Sequence, residues 1–277
     1  MKSRKRKKLL IGENMYTHNE RIEMMSEIER FTKSLNEVQA LLLVGSGSTG
    51  FRDKYSDLDL LVVVKNSEEV VTINKKLRDY LQSRFCILKE KTYSHEEDIL
   101  VSCFFFDNYL ELDLGVWSLN KLKATKPNWI VVFDQEKTIS EKLTDSLKKL
   151  PQRDMDDTIN DSLSFIWQFV RSAAVALKRG QYIKALKDID FIRNQIIEFI
   201  CLRNNIRFDF DKSIDLIDCC YSERLGKTYE VKMNYESLRK TLFEVMNIYF
   251  DVIDIKDNEV VEGNRRMIHG FLEEVLN

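Results

Sequence analysis

The sequence predicts an α/β (α+β) domain with a mixed sheet in its N-terminal half, followed by an all-α helical bundle. Three observations carry this. Short β-branched apolar runs alternate with helical periods up to about residue 150. A glycine-rich turn and a sharply alternating hairpin punctuate that half. From Asp156 onward apolar residues recur every three to four positions. At 277 residues the chain exceeds one average domain of roughly 100–200 residues, so we expect a boundary close to Pro151. The expected divisions are a basic disordered tail over residues 1–18, a catalytic domain over 19–150 and a helical substrate-binding or interaction domain over 151–277.

The elements follow in order. Residues 19–35 carry Ile22, Met25, Ile28 and Phe31 at helical spacing, with Asn19 as the expected cap. Residues 38–44 and 58–64 are apolar strand-like runs that flank Gly45, Gly47 and Gly50. Residues 67–81 read as a helix and 85–88 as a strand. Residues 99–106 and 109–117 form a hairpin across Asp107 and Asn108. In its second arm Leu110, Leu112, Leu114 and Val116 lie on one face, with Glu111 and Asp113 on the other. A short strand over 129–133 ends in Asp134, and a helix over 137–150 stops at Pro151. Further helices are expected from Asp156 to Leu177, closed by Gly180, and over 183–203, 235–253 and 266–276.

Composition bounds the function. Hydrophobic residues are 44% of the chain, with 16 Phe against 2 Pro and 9 Gly, which suits a folded protein of regular elements. Cys86, Cys103, Cys201, Cys219 and Cys220 form no CxxC pair and share no zinc-ligand spacing with His18, His95 or His269. Buried thiols in a reducing cytoplasm are the plain reading. The basic run at residues 2–8 lacks the apolar stretch of a secretory signal, and no run approaches a membrane span of roughly 18 apolar residues. That run reads as a tail, and Met15 offers an alternative start of translation.

Residues 1–150 carry 25 basic and 23 acidic side chains, and residues 151–277 carry 18 and 22. With the six basic residues of the tail set aside, each half stands at −4. Such a balance disfavours nucleic acid as partner, whose phosphates call for basic grooves, and leans toward a cationic small molecule.

The stretch from Leu42 to Val62 carries the chemistry. Gly45, Gly47 and Gly50 match the dinucleotide pattern G-x-G-x-x-G, but the next strand begins almost at once and the acids stand at its start instead of about 20 residues on. Asp57 and Asp59 are two apart, so both carboxylates face one side while Leu58 and Leu60 pack on the other. Asp113 comes from a later strand with Leu112 and Leu114 turned to the core. Three hard oxygen ligands on neighbouring strands suit Mg²⁺. Main-chain N–H groups at Gly45, Ser46 and Gly47, with the Ser46 hydroxyl, can grip phosphates because glycine permits close backbone approach. Ser48 and Lys54 are candidate helpers.

Glycine-serine after an apolar strand, the D-x-D pair and the later acid in an Asp-Leu context resemble the polymerase-beta-like nucleotidyltransferase superfamily. The two-domain length resembles its small-molecule branch, the aminoglycoside (6-adenylyltransferase-like) and lincosamide nucleotidyltransferases of bacteria. The resemblance implies a nucleotidyltransferase domain that transfers a nucleoside monophosphate, usually AMP from ATP, to an antibiotic hydroxyl and releases pyrophosphate. It implies catalytic and metal-binding roles for Asp57, Asp59 and Asp113, with two Mg²⁺ ions, and a phosphate-binding role for Gly45 and Ser46. The strand ending at Asp134 is similar to a feature of the 6-adenylyltransferase group. The convincing likeness spans residues 38–134.

A general base is open among Glu111, Asp156 and Asp157, for which capping or solvated surface roles weigh more. Trp117, Trp129 and Trp167 could stack on a base or a sugar, though core packing is commoner. His95 falls in a polar segment expected to be a loop. Two other classes compete: transfer to a protein or RNA hydroxyl, as in toxin–antitoxin or regulatory modules, and a catalytically silent interaction protein. A monomer and a homodimer fit equally.

Overall fold

The computed structural model describes residues 15–149, 155–206, 212, 214–217, 220–254 and 258–277. The basic run at 2–8, Pro151 and Cys219 lie outside the described residues. The chain divides into two compact units, Met1–Pro151 and Gln152–Asn277. The first carries a mixed sheet and the second is all helix.

In the first unit, helix α1 (His18–Lys33) precedes β1 (Val38–Leu43), a 3₁₀ turn (Gly45–Thr49) and β2 (Leu58–Val64). Helix α2 (Glu69–Arg84) leads to β3 (Ile87–Glu96), β4 (Ile99–Phe106), β5 (Glu111–Ser118) and β6 (Ile130–Asp134), and α3 (Ile139–Lys148) ends the unit. The sheet order is β3-β4-β5-β2-β1-β6. Only β2 and β5 run parallel among these neighbours, and the other pairs are antiparallel. The parallel pair forms because α2, β3 and β4 intervene between its strands, a crossover long enough to bring the chain back in the same direction.

Period-two alternation gives the sheet two different faces. Leu58, Leu60, Val62, Leu112, Leu114, Val116, Phe104 and Phe106 pack with Met24 and Ile28 of α1 and with Val70, Ile73, Leu77 and Leu81 of α2. On the other face Ala40, Leu42, Leu61 and Val63 meet Leu122, Ala124 and, from α3, Ile139 and Leu143. Asp134 supports this second layer: its Oδ1 accepts from Gln39 Nε2 at 3.1 Å and its Oδ2 from the Ile139 N–H at 2.8 Å. The acid that ends β6 therefore satisfies a free donor at the start of α3.

Several expected boundaries move. Tyr16 is buried, and Thr17, in place of Asn19, caps α1 through a reciprocal capping box with Glu20. Strand β3 runs far beyond residue 88 and includes His95, so the polar segment is an edge strand and not a loop. Its side chains are largely exposed, so no apolar alternation announces it; backbone pairing with β4 makes it a strand. The hairpin turn takes in four residues, 107–110, with Tyr109 at φ +66°.

The second unit comprises α4 (Met155–Lys178), α5 (Tyr182–Arg203), a 3₁₀ turn (Ile214–Leu216), α6 (Cys220–Lys227), α7 (Tyr235–Ile253) and α8 (Glu259–Leu276). Their apolar stripes share one core, including Ile166, Val170, Ile192, Ile196, Val245 and Leu272. Helix α8 starts seven residues before the expected 266, where Asn258 caps it by accepting from the Val260 N–H at 2.9 Å. Trp167 is core here, edge-on to Phe271, and Trp117 and Trp129 pack on the α3 side of the sheet. No helix among the described residues is long and apolar enough to cross a membrane.

Candidate active site

The candidate site lies at the β2 end that receives the chain from the glycine turn. Val44 donates its N–H to the Asp59 carbonyl at 3.0 Å, which ties the turn to the start of β2. Gly45 follows in the left-handed region at φ +58°, where side chains are strained. A Cβ built on Gly45 would stand 1.8 Å from Asp59 Oδ2. Two independent constraints therefore demand glycine: the backbone angle and direct contact with a carboxylate.

The turn itself is self-supporting. Ser48 Oγ donates to the Gly45 carbonyl at 2.7 Å and Thr49 Oγ1 to the Ser46 carbonyl at 3.1 Å, so Ser48 serves the turn and is not turned out as a helper. Lys54 is exposed and rests its ammonium 4.9 Å from the Tyr55 ring centroid. The first N–H groups of such a turn have no partner within it. Ser46 Oγ is buried without a hydrogen-bond partner, which is costly unless something else completes it.

The carboxylates come from the parallel pair. Asp59 stands directly opposite Asp113, as Leu58 does opposite Leu112 and Leu60 opposite Leu114. Both acids consequently project from the α3 side of the sheet while the leucines fill the α1–α2 side. Asp57 sits two residues before Asp59, just outside β2. Asp113 Oδ1 is buried without a partner, the second such oxygen in the site. Among the described residues no group of three or more His, Cys, Asp or Glu side chains is gathered as a metal-binding cluster. Asp59 and Asp113 stand side by side on paired strands, with Asp57 two residues before Asp59.

The donor set nevertheless fits a hard cation beside a phosphate. Hard oxygens, an orphaned carboxylate oxygen, an orphaned hydroxyl and a glycine backbone against Asp59 lie at one end of β2 and β5.

Two neighbours report the negative field. Burial, then the charges of Asp113 and Asp57, push the Glu111 carboxyl above its ordinary range. Cys103, opposite Asp113 in the β4–β5 register, has its thiol pushed up to about 12 by burial, by its hydrogen bond to Asp113 and by the surrounding acids. Sequence reasoning did not single out Cys103. Strand alternation could have placed it on the acidic face, but not opposite Asp113. Asp156 and Asp157 are exposed in the first turn of α4, where acids suit a helix N-terminus.

No curated protein matches the sequence significantly. Among solved structures the chain is similar to an aminoglycoside 6-adenyltransferase from Bacillus subtilis, at 15% identity and TM-score 0.39, covering 92% of this chain and 98% of that one. It is similar to a nucleotidyltransferase-like protein from Exiguobacterium sibiricum at 12% identity and TM-score 0.40, covering 91% and 89%. It is also similar to a STING-associated CdnE c-di-GMP synthase from Capnocytophaga granulosa at 16% identity and TM-score 0.29, covering 93% and 80%. These overlaps are low, and the assignment rests on sequence: the family model described as the nucleotidyltransferase domain matches residues 25–221, a span that takes in the glycine turn and all three aspartates. The chain therefore belongs to the nucleotidyltransferase domain family.

Proposed function

We propose that this chain is a Mg²⁺-dependent nucleotidyltransferase that moves a nucleoside monophosphate, AMP from ATP in the favoured case, onto a hydroxyl of a small cationic molecule such as an aminoglycoside or lincosamide. The observation that carries the reading is the pair of orphaned oxygens, Ser46 Oγ and Asp113 Oδ1, at a turn whose first glycine abuts Asp59. A phosphate oxygen would complete the first and a cation the second.

In the reaction, the N–H groups of Gly45, Ser46 and Gly47 and the Ser46 hydroxyl hold the β- and γ-phosphates and orient the α-phosphorus. Mg²⁺ bound by Asp57, Asp59 and Asp113 would supply neutralisation of the triphosphate and a lower pKa for the attacking hydroxyl. The acceptor oxygen forms a bond to the α-phosphorus, the bond to the bridging oxygen breaks and pyrophosphate leaves. For the hydroxyl proton we favour Glu111, which shares the face of Asp113 and whose carboxyl is raised above its ordinary range by burial and by Asp113 and Asp57. The charge of −4 on each half, the basic tail excluded, favours a cationic acceptor over RNA. A second reading, transfer to a protein hydroxyl, needs no basic groove and shares every residue above.

Incubation with α-labelled ATP, Mg²⁺ and a panel of aminoglycosides and lincosamides separates the readings. A labelled drug supports the first and a labelled protein band the second. Asp57→Asn is expected to abolish either product while the thermal midpoint holds. Normal transfer by that variant would remove the proposed metal site.

A further inference from the structure

Arg21, on the buried side of α1, has no exposed surface at all. Among the described residues it makes no ion pair, and its Nε and Nη1 have no hydrogen-bond partner. Its contacts run in two directions. Toward the glycine turn, the guanidinium lies 4.3 Å from the centroid of the Phe51 ring, and that ring supports Gly47, where a Cβ would stand 2.9 Å from Phe51 Cε1. Toward the aspartates, Nη2 donates to the Lys54 carbonyl at 3.3 Å. The guanidinium also interacts with the Tyr16 side chain, 5.2 Å from its ring centroid, and the Tyr16 hydroxyl donates to the Ser56 carbonyl at 2.9 Å. Ser56 immediately precedes Asp57.

A buried cation lacking an anion is expensive, and an apolar side chain of similar length would fill the space at lower cost. Packing alone therefore does not account for an arginine here. What its planar group does, and a methionine could not, is lie over the Phe51 ring while donating to the Lys54 carbonyl and contacting Tyr16, whose hydroxyl donates to Ser56. The geometry points to Arg21 as a positioning residue: from beneath, it fixes residues 51–56, the only covalent link between the phosphate-binding turn and Asp57, and so sets the distance between phosphate donors and carboxylates. This rests on the nucleotidyltransferase reading of the site. Arg21 touches neither nucleotide nor cation.

The test measures binding of Mg²⁺·ATP and Mg²⁺·GTP by calorimetry, and hydrogen exchange of the 51–57 amides without nucleotide, in wild type, Arg21→Met and Arg21→Lys. Arg21→Met is expected to keep its thermal midpoint, weaken binding of the preferred nucleotide about tenfold and speed exchange at 51–57 but not in α1. Arg21→Lys is expected to recover part of the affinity, since it keeps the charge and loses the stacked plane. Unchanged affinity in folded Arg21→Met overturns the inference. If wild type binds neither nucleotide, the nucleotidyltransferase reading fails separately, and unchanged exchange at 51–57 then overturns the role of Arg21. Should Arg21→Met not fold, Phe51→Leu takes its place: weaker binding supports the support column from Arg21 to Gly47, and wild-type binding overturns it.

Discussion

Arg193 and Arg21 are both buried arginines on helices, at 1% and 0% exposure, yet they are treated differently. Arg193, on α5, donates from Nε to Thr228 Oγ1 at 3.0 Å and from Nη2 to the Thr228 carbonyl, pairs with Asp190 at 2.6 Å and lies over the Tyr229 ring. Its Nε and Nη2 tie the residue that follows α6 to α5, and its Nη1 is used within α5, so all three nitrogens are bonded. Arg21 leaves Nε and Nη1 idle, in the same unit where Ser46 Oγ and Asp113 Oδ1 also lack partners. A buried polar group that is fully bonded reports a structural task. One that is left open has room for a further partner, because an orphaned donor or acceptor costs about 1–3 kcal/mol; Gln39 Oε1, Arg78 Nε and Arg265 Nε are open too, but away from the glycine turn. The helical unit holds the first kind in Arg193, and the glycine turn, β5 and α1 hold the second.

The contrast predicts that substitutions at the open groups cut function without cutting stability, and the reverse at the closed ones. Beyond Asp57, the largest effect is expected at Asp113→Asn. With Asp59 opposite it, removing one charge should lower nucleotidyl transfer about a thousandfold, roughly 4 kcal/mol of barrier. The thermal midpoint should hold or rise as carboxylate repulsion is relieved. A thousandfold loss accompanied by a fall in midpoint would place Asp113 among the structural groups instead. Next comes Arg193→Met, expected to destabilise the helical unit by about 3 kcal/mol, a shift of roughly 10 °C, with nucleotide affinity unchanged. A silent Arg193→Met in a melting experiment would break the comparison at its other end.

Ser46→Ala is predicted to be smaller. Deleting an orphaned hydroxyl removes no hydrogen bond from the free protein, so the midpoint should be unchanged or slightly higher. Loss of one donor to a phosphate should raise KM for the nucleotide about tenfold, which steady-state kinetics at varied ATP would read directly.

What the sequence disclosed follows from which interactions are local. Alternation at Leu58, Leu60, Leu112 and Leu114 put Asp59 and Asp113 on the face away from the leucines, and the same alternation is what the paired strands display. The helical half was readable from its 3.6-residue stripes, which α4, α5 and α7 follow closely. Strand β3 was not, because an exposed edge strand is specified by its neighbour β4 and carries no apolar period of its own. Arg21 and Cys103 were hidden for a related reason. Arg21 meets Lys54 across 33 residues of chain and Cys103 meets Asp113 across a hairpin, and only the tertiary fold makes either a neighbour of the acids. Asp57 lies outside the strand to which its spacing assigned it, since β2 begins at Leu58.

The smallest predicted effect concerns how Arg21 is held. Thr17 caps α1 just ahead of Arg21, with the Glu20 carboxylate accepting from the Thr17 N–H at 2.7 Å and from its hydroxyl at 2.8 Å. Those two bonds hold the Glu20 carboxyl below the usual carboxylate range. A depressed folded pKa means that the unfolded chain takes up the proton first. The box therefore contributes its full stability above the ordinary value of 4.5 and loses it as pH falls through that value and below. Thr17→Ala should cost about 1 kcal/mol at pH 7. Glu20→Gln should flatten the acid side of the stability curve below the ordinary value of 4.5. Because the cap anchors the helix end from which Arg21 projects, Thr17→Ala should also weaken nucleotide binding, by less than Arg21→Met does. Equal losses from the two variants would mean that the start of α1, and not the guanidinium, fixes the loop.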